Sequence, residues 1–249
     1  MSIGAKLFFL LMTKIENIAV VSTFATDRLI DSKTGWIINE QKGGPILYLI
    51  QALEKLGLKP EVYSGKELLV EILIEESDEF GSIKETPQKA PLPDIKSSSA
   101  IVSTLLNEWD LSNAKDYKGK LFVDIQGYVR DGSDFGKKKA WDEVRVLASH
   151  IFCLKGNDVE IAQLPEDVVL GQKRERMLII TKDKRGVDIY YKGRVYNLEP
   201  DIIVKPKHTI GAGDTFFANF VYEFLSSGDI ESATKFALDK TSNFLSAIK

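Results

Sequence analysis

Hydrophobic positions along the chain fall into two rhythms. Short continuous apolar runs recur at Ile18 to Phe24, Ala100 to Leu105, Leu121 to Ile125, Ile151 to Leu154 and Met177 to Thr181. Runs of this length, rich in Val and Ile, predict strands buried on both faces. Between and after them the period changes to three and four. Pro45 opens one such stretch, Ile46, Leu49, Ile50, Leu53 and Leu56 give it an apolar face, and Gly57 closes it. Phe216, Phe217, Phe220, Val221 and Phe224 mark a second helix, and Ile230, Ala233, Ala237, Phe244 and Ile248 a third, starting near Asp229. The alternation predicts an α/β fold with three layers, α/β/α, around a mostly parallel central sheet. Two apolar runs, Trp36 to Ile38 and Leu68 to Ile74, stand outside the rhythm as extra short strands. Residues 77–99, with Pro87, Pro91 and Pro93, read as surface loop.

Composition narrows the class. A chain of 249 residues with 44% hydrophobic positions can bury one large core. The formal net charge of −3 carries no nucleic-acid footprint, and Lys137-Lys138-Lys139 reads as a solvated face. The lone Cys153 excludes an intrachain disulfide and suits a reducing, cytoplasmic setting. Two His and one Cys are too few for a His/Cys metal cluster. The apolar run from Leu7 to Met12 is too short to span a membrane. Residues 1–12 read as an N-terminal extension, with an added edge strand as the competing reading.

The chemistry concentrates in Thr209 to Phe217. Gly211, Ala212 and Gly213 bare the backbone at a helix start, where orphan N–H groups and the dipole suit an anion. Asp214 follows, either as a helix cap or as a carboxylate that takes a proton beside a phosphoryl group. No Walker loop occurs, and Phe216 stands where a dinucleotide fingerprint needs glycine. Apolar strands also end in polar residues at Asp27 and at Asp124-Ile125-Gln126-Gly127-Tyr128-Val129-Arg130, the edge where open α/β sheets bind ligands. Plain alternatives are a turn for Asp27, a surface salt bridge for Arg130, and a capping box for Asn157 and Glu160.

Gly211 to Phe216, with Thr209, resembles the second signature of the ribokinase-like (PfkB) carbohydrate kinases, Asp-Thr-Thr-Gly-Ala-Gly-Asp-Thr-Phe. His208 and Ile210 depart from it. The resemblance implies that Asp214 is the catalytic base and that Gly211, Ala212 and Gly213 form the anion hole. It makes Asp27, Gly43 and Gly44 acceptor-binding residues, although Tyr48 replaces the Asn of the Gly-Gly element. Asn157 and Glu160 match an Asn-x-x-Glu motif that organises Mg2+ through water. Thr181 and Gly186 match a nucleotide-lining Thr-x-Gly-x-x-Gly, with Asp183 for its first Gly, and Asn243 falls near the adenine pocket. The stretch holding Gln126 and Arg130, further acceptor-site candidates, resembles one in a short archaeal branch and in plant inositol kinases.

The implied protein is a single α/β domain with a small β lid from about 28–41 and 66–76, compatible with a homodimer through the lid. The implied activity is ATP-dependent phosphorylation of a hydroxyl on a small polyhydroxylated acceptor, most simply a sugar, with no nucleic-acid or membrane partner. A nucleoside or inositol kinase, and a degenerate binding protein without turnover, are the alternatives. An NAD-binding oxidoreductase lacks its fingerprint.

Overall fold

The structure, a computed structural model, describes residues 17–75 and 78–248. The expected N-terminal extension lies outside the described residues. Among the described residues, fourteen strands are defined: β1 (Ile18–Ser22), β2 (Ala25–Asp31), β3 (Ile37–Gly43), β4 (Glu61–Ser64), β5 (Leu68–Glu75), β6 (Asp78–Ile83), β7 (Ala90–Pro91), β8 (Ser99–Ser103), β9 (Trp109–Asp110), β10 (Lys120–Asp124), β11 (Cys153–Asn157), β12 (Met177–Thr181), β13 (Val187–Tyr191) and β14 (Arg194–Leu198). The helices are α1 (Pro45–Lys55), α2 (Gln126–Val129), α3 (Val144–Leu147), α4 (Asp158–Ile161), α5 (Glu166–Glu175), α6 (Ala212–Ser227) and α7 (Ile230–Ser246).

The large sheet has the order β14-β13-β12-β11-β10-β8-β1-β4. It is parallel from β12 to β4, and β13 and β14 add an antiparallel hairpin. The continuous apolar runs of β1, β8 and β10 are buried on both faces, as their lack of alternation predicts. One face packs Val20, Ile101, Phe122 and Ile179 against α1, α6 and α7 through Leu49, Phe217, Phe220 and Ala237. The other packs Val21, Val102, Val123 and Leu178 beneath Tyr128, Trp141, Ile161 and Val168, which come from short helices and loops. The expected three layers are therefore present, with one helical layer more broken than the pattern suggested.

A second sheet, β3-β2-β5-β6, stands apart from the first. It pairs β2 and β5 parallel in the middle and adds antiparallel edges. Its inward face, with Leu29, Leu68, Val70 and Ile72, meets Leu105, Leu106, Phe135 and Ile210 of the main body. Two parallel strands of the large sheet feed it. β1 passes into β2 through Thr23 and Phe24, and β4 passes into β5 through residues 65–67. The two crossings are tied by Gly65 N–H to Ser22 C=O and Leu68 N–H to Phe24 C=O, both 3.1 Å.

Three expectations change. Residues 78–83 form strand β6 and not loop. Their apolar alternation is broken by Gly81, which the packing requires, because a Cβ there would lie 2.2 Å from the Phe135 ring. The strand near Trp36 runs instead from Ile37 to Gly43, leaving Trp36 exposed ahead of it. Asp27 does not follow the first strand directly. It lies inside β2, on the inward face shared with Ala25 and Leu29, because the chain re-enters a sheet after only two residues.

Candidate active site

The carboxyl ends of β8 and β11, with β10 beside them, meet the start of α6. Gly211 is the N-cap of α6, at φ 81, a left-handed conformation that suits glycine. A side chain there would also collide with the Tyr48 ring, whose nearest atom would lie 2.3 Å from Cβ. The cap reading of Asp214 is thereby corrected. Asp214 sits in the first turn, and its Oδ1 accepts a hydrogen bond from the Ser103 hydroxyl at the end of β8, at 3.0 Å. The first-turn amides divide in use. Ala212 N–H donates to Thr209 C=O at 3.0 Å, whereas Gly213 and Asp214 N–H have no partner among the described residues. Gly211 N–H likewise has no partner among the described residues, so Ala212 is the motif amide tied back into the turn.

Beneath this turn lies a buried ion pair. Lys155 Nζ and Asp124 Oδ2 are 2.6 Å apart, on neighbouring strands in register, with 7% and 2% side-chain exposure. Asp124 Oδ1 accepts the Gln126 N–H at 3.0 Å, which turns the chain into α2. Glu160 is buried close by. Asn157 and Glu160 form a complete capping box: Glu160 N–H donates to Asn157 Oδ1 at 2.8 Å, and Asn157 N–H to Glu160 Oε2 at 2.9 Å. Thr181 hydroxyl lies 3.5 Å from Gly156 C=O at the end of β12.

Burial, and then the charge of Asp124, push the Asp214 carboxyl up to about 6, against the opposing pull of Lys155, the Ser103 hydrogen bond and Arg130. Glu160 is raised for the same two leading reasons, burial and Asp124. Burial presses Lys155 down, but Asp124, Asp214 and Glu160 together hold it above the usual lysine value, so it stays charged. Two buried acids raised by burial and by the neighbouring Asp124 make a place where an added cation relieves repulsion. No group of three or more His, Cys, Asp or Glu placed to hold a metal ion occurs among the described residues. Mg2+, which retains most of its waters and needs one or two carboxylates, fits this donor set better than a metal requiring a protein cage.

Arg130 is not a surface residue, as a salt-bridge reading would have it. It is 7% exposed, its guanidinium lies 3.9 Å from the centre of the Phe135 ring, and it donates to Leu105 C=O at 3.2 Å. Its Nε has no partner among the described residues. Gln126 is half-buried at the start of α2.

On the small sheet, Asp27 is 4% exposed, and its Oδ2 lies 1.8 Å from where a Gly43 Cβ would stand. Gly44, at φ 83, brings its backbone against Thr23 C=O and Ala25 N–H, where a Cβ would lie 2.5 and 2.6 Å away. Gly44 therefore makes the junction of the two sheets possible, whatever it touches in a ligand.

The departures from the motif acquire local reasons. Ile210 joins the apolar contact under the small sheet. Tyr48 seats its ring on Gly211 and meets Phe244 edge-on, centroids 5.9 Å apart. Asp183 adopts φ 49, the left-handed region that glycine would occupy and that Asp tolerates. Gly186, at φ 89, has Leu198 C=O 2.0 Å from its absent Cβ. Nothing in the structure explains His208. Asn243 is exposed and donates to Asp239 of its own helix at 3.3 Å. Sequence reasoning missed Lys155, Asp124 and Ser103 as site residues. The available signal was a lysine inside the apolar run Cys153-Leu154-Lys155.

Residues 132–239 match the model of the pfkB family carbohydrate kinases. No curated protein matches the chain. Among solved structures, a nucleoside kinase from Methanocaldococcus jannaschii, an archaeal member of the ribokinase family, is 17% identical with a TM-score of 0.69, covering 94% of this chain and 93% of that one. A pyrophosphate-dependent kinase of the ribokinase family, complexed with a pyrophosphate analog and myo-inositol, is 16% identical with a TM-score of 0.67, covering 92% and 94%. Arabidopsis thaliana ribokinase, complexed with ribose and ATP, is 14% identical with a TM-score of 0.68, covering 94% of each chain. The matched segment holds Asn157, Glu160 and the glycine motif up to Asp214, so residues 132–239 resemble the pfkB family carbohydrate kinases, and they do so within a ribokinase-like α/β fold.

Proposed function

We propose that the protein transfers the terminal phosphoryl group of ATP to a hydroxyl of a small polyhydroxylated acceptor. The observation that carries this reading is Asp214: a carboxylate raised to about 6, fixed by Ser103, in a helix turn whose Gly213 and Asp214 amides are open. A base with that value is ionised at neutral pH yet strong enough to accept a proton. The acceptor O–H gives its proton to Asp214, its oxygen attacks the γ-phosphorus, and ADP leaves with the electrons of the broken P–O bond. The open amides lie where negative charge on the moving group needs donors. Gly211, with its backbone against Tyr48, sets the turn that aims them, and Ala212 ties that turn back to Thr209.

Asp27 and the bare backbone at Gly43 and Gly44 orient the acceptor hydroxyls. Gln126 and Arg130 flank the phosphoryl path, and Thr181, Gly186 and Asn243 line the donor's nucleoside side. Mg2+ held through water by Glu160 and Asn157 neutralises phosphate charge when it is bound. The small sheet acts as a lid that keeps water from the transfer. Its edge strand β3, with Ile37 and Ile38 exposed, is the face for a homodimer through the lid. No described helix is long and apolar enough to cross a membrane, and we place the enzyme in the cytoplasm.

The acceptor class is most simply a sugar, with inositols and nucleosides as the second reading because solved relatives of the same fold are a kinase complexed with myo-inositol and a nucleoside kinase. The test is product formation with ATP, and separately with pyrophosphate, against pentoses, hexoses, inositols and nucleosides. Transfer to one class assigns it. Donor binding without transfer to any acceptor would leave a binding protein and overturn the catalytic reading.

A further inference from the structure

Lys155 is the charged residue of β11 with no need to be there. Its neighbours Cys153 and Leu154 are fully buried, and an apolar side chain would fill the same space without the desolvation that a buried ion pair costs. Its ammonium lies directly under the turn: a Cβ built on Gly213 would fall 3.0 Å from Nζ. Gly213 thus has a second reason to be glycine, beyond baring its own amide. It leaves the space that the ammonium approaches, and Gly213 itself is exposed. Asp124 fixes the ammonium from the opposite side at 2.6 Å, and the Gln126 amide fixes Asp124 in turn.

We infer that Lys155 is a catalytic residue, the fixed cation that contacts the transferring phosphoryl group together with the Gly213 amide, and that Asp124 is its positioning residue. The inference rests on the phosphotransfer reading above and adds the contact that reading lacks. A cation planted there compensates charge on the equatorial oxygens of the moving group and needs no rearrangement at the moment of transfer. It also offsets the repulsion that an ionised Asp214 exerts on an incoming phosphate. The groups facing it are Asp124 from β10, Asp214 from α6, Glu160 from α4 and, over a longer distance, the Phe217 ring at 5.9 Å.

The experiment uses the full chain, as wild type, Lys155→Met, and Lys155→Met with Asp124→Asn. The double variant removes both buried charges, so it folds without an unpaired carboxylate even where the single one does not. Turnover is measured with the best acceptor, and affinities for ATP and for ADP are measured separately by calorimetry. Both folded variants should lose at least about 100-fold in kcat, the loss typical of one missing donor at a developing anion. The acceptor KM should stay within about threefold, ATP affinity should fall about tenfold, and ADP affinity should hold, because ADP lacks the phosphoryl group that Lys155 touches. Retention of kcat within about threefold, or an equal fall in ATP and ADP affinity, would assign Lys155 to structure alone and overturn the inference. A wild-type protein that transfers phosphate to no acceptor would instead overturn the reading beneath it.

Discussion

The small-sheet end of the molecule and its charged cluster at β10–β11 are built on different physics. At the small-sheet end, a single buried acid, Asp27, lies over Gly43, and the fit is made by backbone approach: neither Gly43 nor Gly44 has room for a methyl group. At the β10–β11 end, Asp124, Lys155, Glu160, Asp214 and Arg130 crowd together, and burial with the charge of Asp124 raises Asp214 and Glu160. On the proposed function, the first arrangement recognises a neutral, hydroxylated acceptor and the second handles the phosphoryl group in transit. Choice of acceptor and chemistry of transfer are then separated in space, so changes at one end should leave the other nearly intact.

Asp214→Asn is the hardest blow to the charged end. Asn keeps the volume but accepts no proton at neutral pH, so kcat should fall on the order of 10²–10⁴-fold, while ATP affinity holds or tightens. Stability should move the other way. A carboxyl raised in the folded state contributes stability below its unfolded value near 3.8 and loses it as pH rises through about 6. The variant should therefore melt higher than wild type at pH 8, by on the order of 1 kcal/mol, and not at pH 4. In wild type the same group should give kcat/KM an acid limb near pH 6, read from the pH–rate profile. A variant turning over within a few-fold of wild type removes Asp214 from the chemistry.

The neutral end should answer differently. Asp27→Ala should raise the acceptor KM by roughly 5–150-fold, the cost of about 1–3 kcal/mol for a buried hydrogen-bonding group, with ATP affinity unchanged. Gly43→Ala, which drives a methyl group into the Asp27 carboxylate, should reproduce that pattern. Equal losses for donor and acceptor, by titration of each ligand, would erase the division between the two ends.

Glu160→Gln is milder because the amide oxygen can still accept from Asn157 N–H and keep the capping box. About tenfold loss of kcat at limiting Mg2+, largely restored by excess metal, is the expected result. Insensitivity to metal concentration would confine Glu160 to the cap. Smallest of all, Asp183→Gly should change neither kcat nor stability by more than about 0.5 kcal/mol, since both residues accept the left-handed turn. A melting scan beside a rate assay checks both.

What was legible in the sequence follows the reach of each signal. The buried strands and the helices at Ile46 and Phe216 rest on local periodicity, and they stand where the pattern puts them. Strand β6 was hidden because its pairing partner, β5, and its packing partner, Phe135, supply what its own pattern lacks. The position of Asp214 in the fold was legible, but not that Gly211 would take the cap and leave the carboxylate to Ser103, 111 positions away. Lys155 was overlooked because its meaning depends on Asp124 across a strand pair, and no local pattern records that pairing. The burial of Arg130 was hidden for a related reason: the Phe135 ring that covers it belongs to a loop held by Gly81 of the small sheet.

The small sheet is carried by two straps, and they are adjacent, parallel and cross-tied at Gly65–Ser22 and Leu68–Phe24. Mechanically this is a strip hinge rather than a tether. A single strand would permit swing and twist alike, but two strips bonded side by side share one bending axis, and twisting would shear the bonds between them. On the proposed lid reading one degree of freedom remains: Asp27 and Gly43 lie beyond the straps and Gly65 and Thr23 within them, so the acceptor contacts would reach the fixed charges along a single arc, with their orientation decided before they meet.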